Sequence, residues 1–182
     1  MIEKELKILL TEEEYLSILS DIEWESSFEQ INHYYSDPDG AQKGRGLSIR
    51  IRELNNKFYL QMKRTITERG LLHVKEEYEY EMISAPDILS NLTLRDITIK
   101  NAKKMGCLKT IRHIYHWDKN TEICLDENMY LGTKDYEIEI EFTKGIPASL
   151  SEWLQKTGLN LNGFAPGKYS RFCSIYFSCF NN

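Results

Sequence analysis

Carboxylates and cations recur at alternate positions in this chain, beginning at its N-terminus. Glu3, Glu5 and Lys7 stand two residues apart, and Arg50 and Arg52 repeat the spacing further on. Several carboxylates together suit a hard divalent cation, whereas arginines suit an anion that offers several oxygens. The pattern therefore predicts a site in which glutamates hold a metal ion and basic residues bind the polyanion that the metal bridges.

The same alternation runs through most of the chain. Because successive side chains of a strand point to opposite faces, such a segment is predicted to be a strand with one charged and one apolar face. Five more segments carry such faces: Tyr59, Gln61 and Lys63; Lys75, Glu77, Glu79 and Glu81; Thr110 and Arg112; Glu122, Cys124 and Asp126; and Glu137, Glu139 and Glu141.

The charged faces are expected to point toward one another. A single alternating strand would ordinarily turn its charges to water, but here several strands stack like charges, as at Glu137, Glu139 and Glu141. Like charges about 7 Å apart repel by roughly 2 kcal/mol at an effective dielectric constant near 20, and an ordinary surface mixes signs. We therefore predict a barrel with a hydrated, ligand-binding interior and with apolar side chains facing an outer layer.

Turns and a few helices are predicted between the strands. A loop at Asp37–Gly40 and a hairpin turn at Leu54–Lys57 are indicated by their Asn, Asp, Gly and Pro residues. Thr11 and Glu14 form a capping-box pattern that predicts a helix ending near Asp21. Further predictions are helices at Pro86–Leu94 and Pro147–Thr157, a short helix followed by a strand at Tyr169–Phe180, and packing roles for Tyr34 and Tyr35.

Length and composition narrow the possible classes of protein. The chain has 182 residues, which suits one domain, and 23 basic against 28 acidic residues give a net charge of −5. An acidic balance argues against a nucleic-acid binder. No apolar run approaches the ~20 residues of a membrane span, and the charged N-terminal residues do not form a secretory signal. We expect a cytoplasmic protein with neither nucleic acid nor membrane as partner.

The ordered set of charged segments resembles the motifs of the CYTH superfamily, the triphosphate tunnel metalloenzymes. Glu3-x-Glu5-x-Lys7 is similar to the family's ExExK signature. Arg50-Ile-Arg52, the strand ending in Lys63, and Lys75-x-Glu77-x-Glu79 are similar to its RxR, LxxK and RxExE strands, with Lys75 in place of arginine. Arg112, Asp126, the Glu137–Glu141 strand and Gly167-Lys168-Tyr169 follow in the same order, with Gly167 where serine is usual.

This resemblance implies a mainly β, α+β fold: a closed antiparallel barrel of eight strands with a few flanking helices, covering residues 1–182 as a single domain. It implies a small-molecule triphosphate as ligand, Mg²⁺ or Mn²⁺ as cofactor, and a monomer or homodimer. The expected metal ligands are Glu3, Glu5, Glu139, Glu77 and Glu79, and the expected triphosphate-binding residues are Arg50, Arg52, Lys63, Lys75, Arg112 and Lys168.

Three residues are expected to assist catalysis. Glu137 and Asp126 would support the metal or orient water, and Lys7 would contact phosphate or balance the charge of its neighbouring glutamates. Which two of Glu137, Glu139 and Glu141 face the metal stays open; Glu137 and Glu139 are favoured, while Glu141 is expected to be solvated, like Glu81 at the end of its own strand.

Three functions are compatible with these residues. The first is a metal-dependent triphosphatase acting on inorganic triphosphate or on a small organic triphosphate. The second is a class IV adenylate cyclase, which would expel pyrophosphate from ATP, and the third is a non-catalytic module that binds polyphosphate or nucleotides. Selectivity among substrates is expected in loops at the tunnel mouth, such as Ser36–Gly46 and Thr65–Leu72.

Overall fold

The computed structural model describes residues 1–37, 46–94 and 97–180, so most of the predicted Asp37–Gly40 loop lies outside the described residues. The elements, numbered in chain order, are β1 (Ile2–Leu10), α1 (Glu12–Asp21), β2 (Ser26–Ser36), β3 (Leu47–Leu54), β4 (Lys57–Arg69), β5 (Leu72–Met82), β6 (Ile88–Leu89), β7 (Leu92–Leu94), β8 (Ile97–Ile99), β9 (Ala102–Asp118), β10 (Thr121–Tyr130), β11 (Thr133–Phe142), α2 (Ala148–Lys156) and α3 (Lys168–Phe180).

Eight strands close into an antiparallel barrel. Their order around the sheet is β10-β11-β1-β5-β4-β3-β2-β9, and β9 pairs with β10 to complete the ring. The two-residue β6 extends the sheet beside β9, and β7 and β8 form a separate hairpin. The predicted closed eight-stranded barrel is therefore confirmed, as is the hairpin turn between β3 and β4.

Apolar side chains lie on the outer face of the barrel, as the alternation predicted. One cluster packs α1 and α2 against β1, β10 and β11, with Ile8, Tyr15, Ile138 and Leu150 at its centre. A second cluster joins β3 and β4 to the segment that contains β6 and β8, through residues such as Ile49, Met62, Leu89 and Ile99. Burial of these outer faces leaves the inner faces of the strands to the charged residues.

The helix predictions are confirmed at two places. Thr11 caps α1, since its side chain accepts from the backbone N–H of Glu14 and the Glu14 side chain accepts from the backbone N–H of Thr11. Helix α2 begins after Pro147, within the predicted Pro147–Thr157 segment. Within the described residues, no helix combines the length and apolar character needed to cross a bilayer.

Three local predictions were wrong, and one strand was not predicted. Residues 86–94 form the short strands β6 and β7 in place of a helix, because Leu89 and Leu92 pack on the outer cluster of the sheet. Residues 169–180 are helical throughout and do not end in a strand. The segment Thr65–Leu72 is largely strand, since β4 runs on past a bulge to a tight turn at Gly70. Finally, β2 was not predicted as a strand.

Helix α3 packs against inward-facing residues at one end of the barrel. Phe172 is fully buried in a cluster with Tyr34 of β2, Leu108 of β9 and Tyr130 of β10. Gly106 makes room for it, because a Cβ at that position would lie 3.1 Å from Cζ of Phe172. The aromatic ring thus fixes α3 to the barrel and brings the start of the helix to the charged interior.

We expect Phe172→Ala to lower the free energy of unfolding by about 3–5 kcal/mol, because the truncation leaves a cavity in a fully packed site. Urea unfolding at equilibrium measures this change. Phe164→Ala is the matched control, since Phe164 is 62 % exposed and its truncation should change stability by less than about 1 kcal/mol. Equal losses in the two variants would contradict the anchoring role of Phe172.

Candidate active site

A cavity of about 1370 Å³ runs through the barrel and is lined by residues from all eight barrel strands and from α3. Of the fourteen residues predicted to act at the site, twelve line it: Glu3, Glu5, Lys7, Arg50, Arg52, Lys63, Lys75, Glu77, Glu79, Arg112, Glu139 and Lys168. The other two, Asp126 and Glu137, are completely buried behind the cavity wall. The sequence pattern thus located a continuous charged interior.

Three carboxylates meet on one wall of the cavity. Glu3 and Glu5 on β1 and Glu141 on β11 offer ligand atoms that lie within 4.8 Å of one another, and Glu5 and Glu141 are paired across the two strands. Oxygen donors at such spacing suit Mg²⁺ or Mn²⁺. The expectation that Glu141 is merely solvated was wrong. Burial, with the added charges of Glu3 and Glu139, raises the pKa of Glu141 to about 7 against the opposing charge of Arg112.

Two lysines neutralise the other carboxylates of this wall. Lys63 donates to both oxygens of Glu3, at 2.8 and 2.7 Å, and Lys75 donates to Glu5 at 3.1 Å. Burial alone would raise the pKa of Glu5, but the ammonium groups around it, that of Lys7 foremost, outweigh burial and lower it to about 2. Glu5 is therefore ionised at neutral pH and can bind a cation.

Glu77 and Glu79, also predicted as metal ligands, line the cavity further along β5. Glu77 lies 3.5 Å from Nζ of Lys63, and Glu79 accepts from the side-chain amide of Gln61 at 2.6 Å. Among the described residues, neither belongs to a group of three acidic side chains close enough to share an ion. The structure thus separates them from Glu3, Glu5 and Glu141.

A second group of charges lies deeper, beneath the start of α3. Asp126, Glu137 and Glu139 form a second close set of carboxylates. Arg112 donates two hydrogen bonds to Asp126, at 2.8 and 2.6 Å, and also contacts Glu139. Lys168 lies 2.8 Å from Asp126, donates to Glu139 at 3.0 Å and contacts Glu137, while Lys7 contacts Glu139. Burial would raise the pKa of Asp126, but Arg112 and Lys168 hold it below its usual value.

An ion pair that sequence reasoning did not identify holds α3 in this position. Arg171 donates to both oxygens of Asp135 on β11, at 2.8 and 3.1 Å, and to the carbonyl oxygen of Pro166 at 2.6 Å. Its guanidinium also lies 2.9 Å from Glu137. Because Arg171 stands one helical turn after Lys168, this pair fixes the helix turn that carries Lys168. The only sequence signal was the placement of Arg171 three residues after the motif lysine.

Arg50 and Arg52 differ from the other cations of the interior. Among the described residues, no carboxylate forms an ion pair with either; Arg50 donates to the neutral Gln61 at 2.7 Å, and Nε of Arg52 has no hydrogen-bond partner. Burial, together with the nearby charges of Arg50 and Arg112, lowers the pKa of Arg52 to about 9 against the opposing effect of Glu77 and Glu139. Both lie on β3, which stands across the ring from β11 and Glu141. This wall therefore favours an anionic ligand.

Comparison with known proteins agrees with this architecture. The model of the CYTH domain family matches residues 1–161. A Bacillus subtilis (strain 168) protein named "Putative triphosphatase YjbK" is 32 % identical over 151 residues, which is 77 % of each chain. The crystal structure of a "putative adenylate cyclase" from Bacillus halodurans has a TM-score of 0.71 at 24 % identity, covering 92 % of this chain and 95 % of the other.

A second solved structure has the same degree of similarity. It is HpAC1 from Hippeastrum, a "putative adenylyl cyclase" that is said to reveal a dominant triphosphatase activity. Its TM-score is also 0.71, at 19 % identity, and the match covers 94 % of this chain and 95 % of the other. At these identities the two structures establish a shared fold.

Removal of the Asp135 charge should give a pH-dependent loss of stability. The Arg171 ion pair and hydrogen bonds from Tyr130 and Asn128 outweigh burial and lower the pKa of Asp135 in the folded state. The stabilisation is therefore complete above the unfolded value near 4 and is lost as pH falls below it. We expect Asp135→Asn to lower the free energy of unfolding by about 1–3 kcal/mol at pH 7, and by less at pH 3.5. Urea titrations at both pH values measure this; a difference independent of pH would contradict the assignment.

Proposed function

The chain belongs to the CYTH domain family, and from this membership we propose that it is a metal-dependent hydrolase of triphosphates, with inorganic triphosphate as its main substrate. The named triphosphatase relative from Bacillus subtilis supports this reaction over the alternatives. A small organic triphosphate is the alternative substrate, since the cavity is larger than three phosphate groups require.

The arginine pair is the observation that carries the proposal. A guanidinium withdrawn from water without a paired carboxylate is costly. Arg50 and Arg52 lie half-buried side by side on one wall, and within the described part of the chain no carboxylate forms an ion pair with either, although Glu77 and Glu139 act on Arg52 from a distance. A triphosphate carries roughly four negative charges at neutral pH, so its binding removes this cost. Arginine is also suited to phosphate, because its planar fork donates two parallel hydrogen bonds.

The metal would be held by Glu3, Glu5 and Glu141, with Glu139 beside them. Their clustered carboxylate oxygen atoms are the kind of donor that Mg²⁺ and Mn²⁺ prefer. When bound, such an ion neutralises charge that develops on the phosphate oxygens. The expected pair Glu137 and Glu139 is replaced in this proposal by Glu139 and Glu141, since Glu137 is buried against Lys168 and Arg171.

The remaining charged residues would bind and orient the substrate. Lys63 and Lys75 lie at the edge of the metal-binding wall and can turn from Glu3 and Glu5 to phosphate oxygens. Arg112, Lys168 and Lys7 form the deeper cationic group, whose positions are fixed by Asp126, Glu137 and Glu139. Asp126 and Glu137 would therefore act by holding these cations. Preorganised charge of this kind accounts for most of the catalysis in phosphoryl transfer.

We expect Arg52→Ala and Glu5→Ala each to lower kcat/KM for inorganic triphosphate by about 10²–10³-fold or more. The first removes a positive charge that would bind the phosphate oxygens, and the second removes a negative charge that would hold the metal ion. Phosphate release with Mg²⁺ and with Mn²⁺ is the measurement, and circular dichroism verifies folding. Arg64→Ala is the matched control, since Arg64 pairs with Glu76 and is not among the residues that line the cavity. Its rate should stay within about twofold of the parent chain.

Product analysis separates the proposal from the two other functions. Cyclic AMP and pyrophosphate from ATP would establish a cyclase, whereas release of the terminal phosphate supports the hydrolase. Triphosphate binding without release of phosphate, with either metal, would indicate a binding module. Unchanged turnover in both Arg52→Ala and Glu5→Ala would refute the site itself.

A further inference from the structure

Two inward-facing polar side chains of β2 have unused hydrogen-bonding capacity among the described residues. The side-chain amide of Asn32 is unbonded at both its nitrogen and its oxygen, and the hydroxyl of Tyr34 makes no hydrogen bond of good geometry, its interaction with the Arg50 guanidinium leaving the hydroxyl proton free to donate. Tyr34 is 1 % exposed and Asn32 is fully buried, so bulk water does not satisfy them. An unmade hydrogen bond at a buried group costs about 1–3 kcal/mol, which makes two neighbouring cases unusual.

Both residues adjoin the arginine pair. In the register of β2 and β3, Asn32 stands opposite Arg52, and Tyr34 stands opposite Arg50. Nε of Arg52 is the third polar atom of this group without a partner. Since β2 lies across the ring from β1, Tyr34, which lines the cavity, faces the wall of Glu3, Glu5 and Lys7, whereas Asn32 lies fully buried beside Arg52. Unpaired donors are thus concentrated where an anion would bind.

The aromatic ring of Tyr34 is held in place by α3. Its centroid lies 5.3 Å from that of Tyr169 and 5.0 Å from that of Phe172, and Tyr34 itself lines the cavity. The adjacent Tyr35 faces the opposite side of the sheet, where its hydroxyl donates to the carbonyl oxygen of Pro86 at 2.6 Å. Of these two tyrosines, Tyr35 therefore uses its hydroxyl to stabilise the fold, whereas Tyr34 does not.

We propose that β2 completes the phosphate subsite on the wall formed by Arg50 and Arg52. When the ligand binds, the Tyr34 hydroxyl donates a hydrogen bond to a phosphate oxygen, and the Asn32 side-chain oxygen, unbonded before binding, comes to accept from Arg52 and orients its guanidinium. Tyr34 is then a ligand-binding residue, whereas Asn32 is a positioning residue that acts through Arg52. The inference rests on the proposed function, since it takes the ligand to be a triphosphate. It adds two neutral residues to a site otherwise built from charges.

Tyr34→Phe tests the first part by removing one oxygen atom. The probe is diimidotriphosphate, in which NH groups replace the two bridging oxygens, titrated by calorimetry into the full chain with Mg²⁺. We expect Kd to rise about tenfold, as for loss of a hydrogen bond to a charged group, while the melting temperature of the free protein stays equal or rises. Tyr35→Phe, the matched control, should show the reverse: a lower melting temperature and an unchanged Kd.

Asn32→Leu tests whether Asn32 acts by positioning the guanidinium of Arg52. It should weaken binding in the parent chain but have little further effect in an Arg52→Ala background, because its role passes through that guanidinium. Equal effects in both backgrounds would disprove the positioning role.

Three outcomes of the Tyr34→Phe titration are decisive. A weaker Kd at an unreduced melting temperature supports the proposal. An unchanged Kd overturns it, and so does a weaker Kd accompanied by a melting temperature lowered as in Tyr35→Phe, which would assign the loss to packing. Arg52→Ala separates a failure of this inference from a failure of the proposed anion site. If Arg52→Ala loses affinity while Tyr34→Phe does not, only the role of Tyr34 is refuted. If Arg52→Ala keeps full affinity, the anion site itself is refuted.

Discussion

Charges enclosed in a barrel must be compensated nearly one for one, because the surrounding protein screens them far less than water does. This requirement orders the interior of the chain. Lys63 and Lys75 face Glu3 and Glu5, and the deeper cations face buried carboxylates. The outer layers of apolar residues make such an interior possible, since they supply the hydrophobic stabilisation that a barrel core would otherwise provide. Compensation is incomplete at Arg50 and Arg52, where the proposed triphosphate would supply the missing negative charge.

Closure of the sheet converts local strand patterns into a site. In an eight-membered ring, strands four places apart stand across the cavity, so the carboxylates of β1 and β11 oppose the polar and cationic residues of β2 and β3. Helix α3 completes the arrangement from one end. Phe172 anchors it by packing, Arg171 by an ion pair with Asp135, and Lys168 consequently reaches the buried carboxylates. Distant parts of the chain thus contribute to one binding surface.

The alternating charges were sufficient to predict the seven strands that carry them, because period-two patterning is dictated by strand geometry. They were not sufficient for β2. Its inward residues include the uncharged Gln30, Asn32 and Tyr34, so this strand lacks the contrast between a charged face and an apolar face. Glu141 was misjudged because alternation gives the face of a strand, whereas depth in the cavity depends on how the strands stagger. Short segments such as residues 86–94 follow tertiary packing, which overrides local helix signals.

In the proposed function, the near balance of charge would make metal and anion binding mutually dependent. A divalent cation alone would approach Glu3 and Glu5 against the fields of Lys63 and Lys75, and an anion alone would approach those lysines against the glutamates. Bound together, each supplies the counter-charge that the other displaces, so each raises the affinity for the other by the same factor. The ion pairs of Lys63 with Glu3 and of Lys75 with Glu5 would then be exchanged for contacts with the ligands, having stabilised the charged interior themselves.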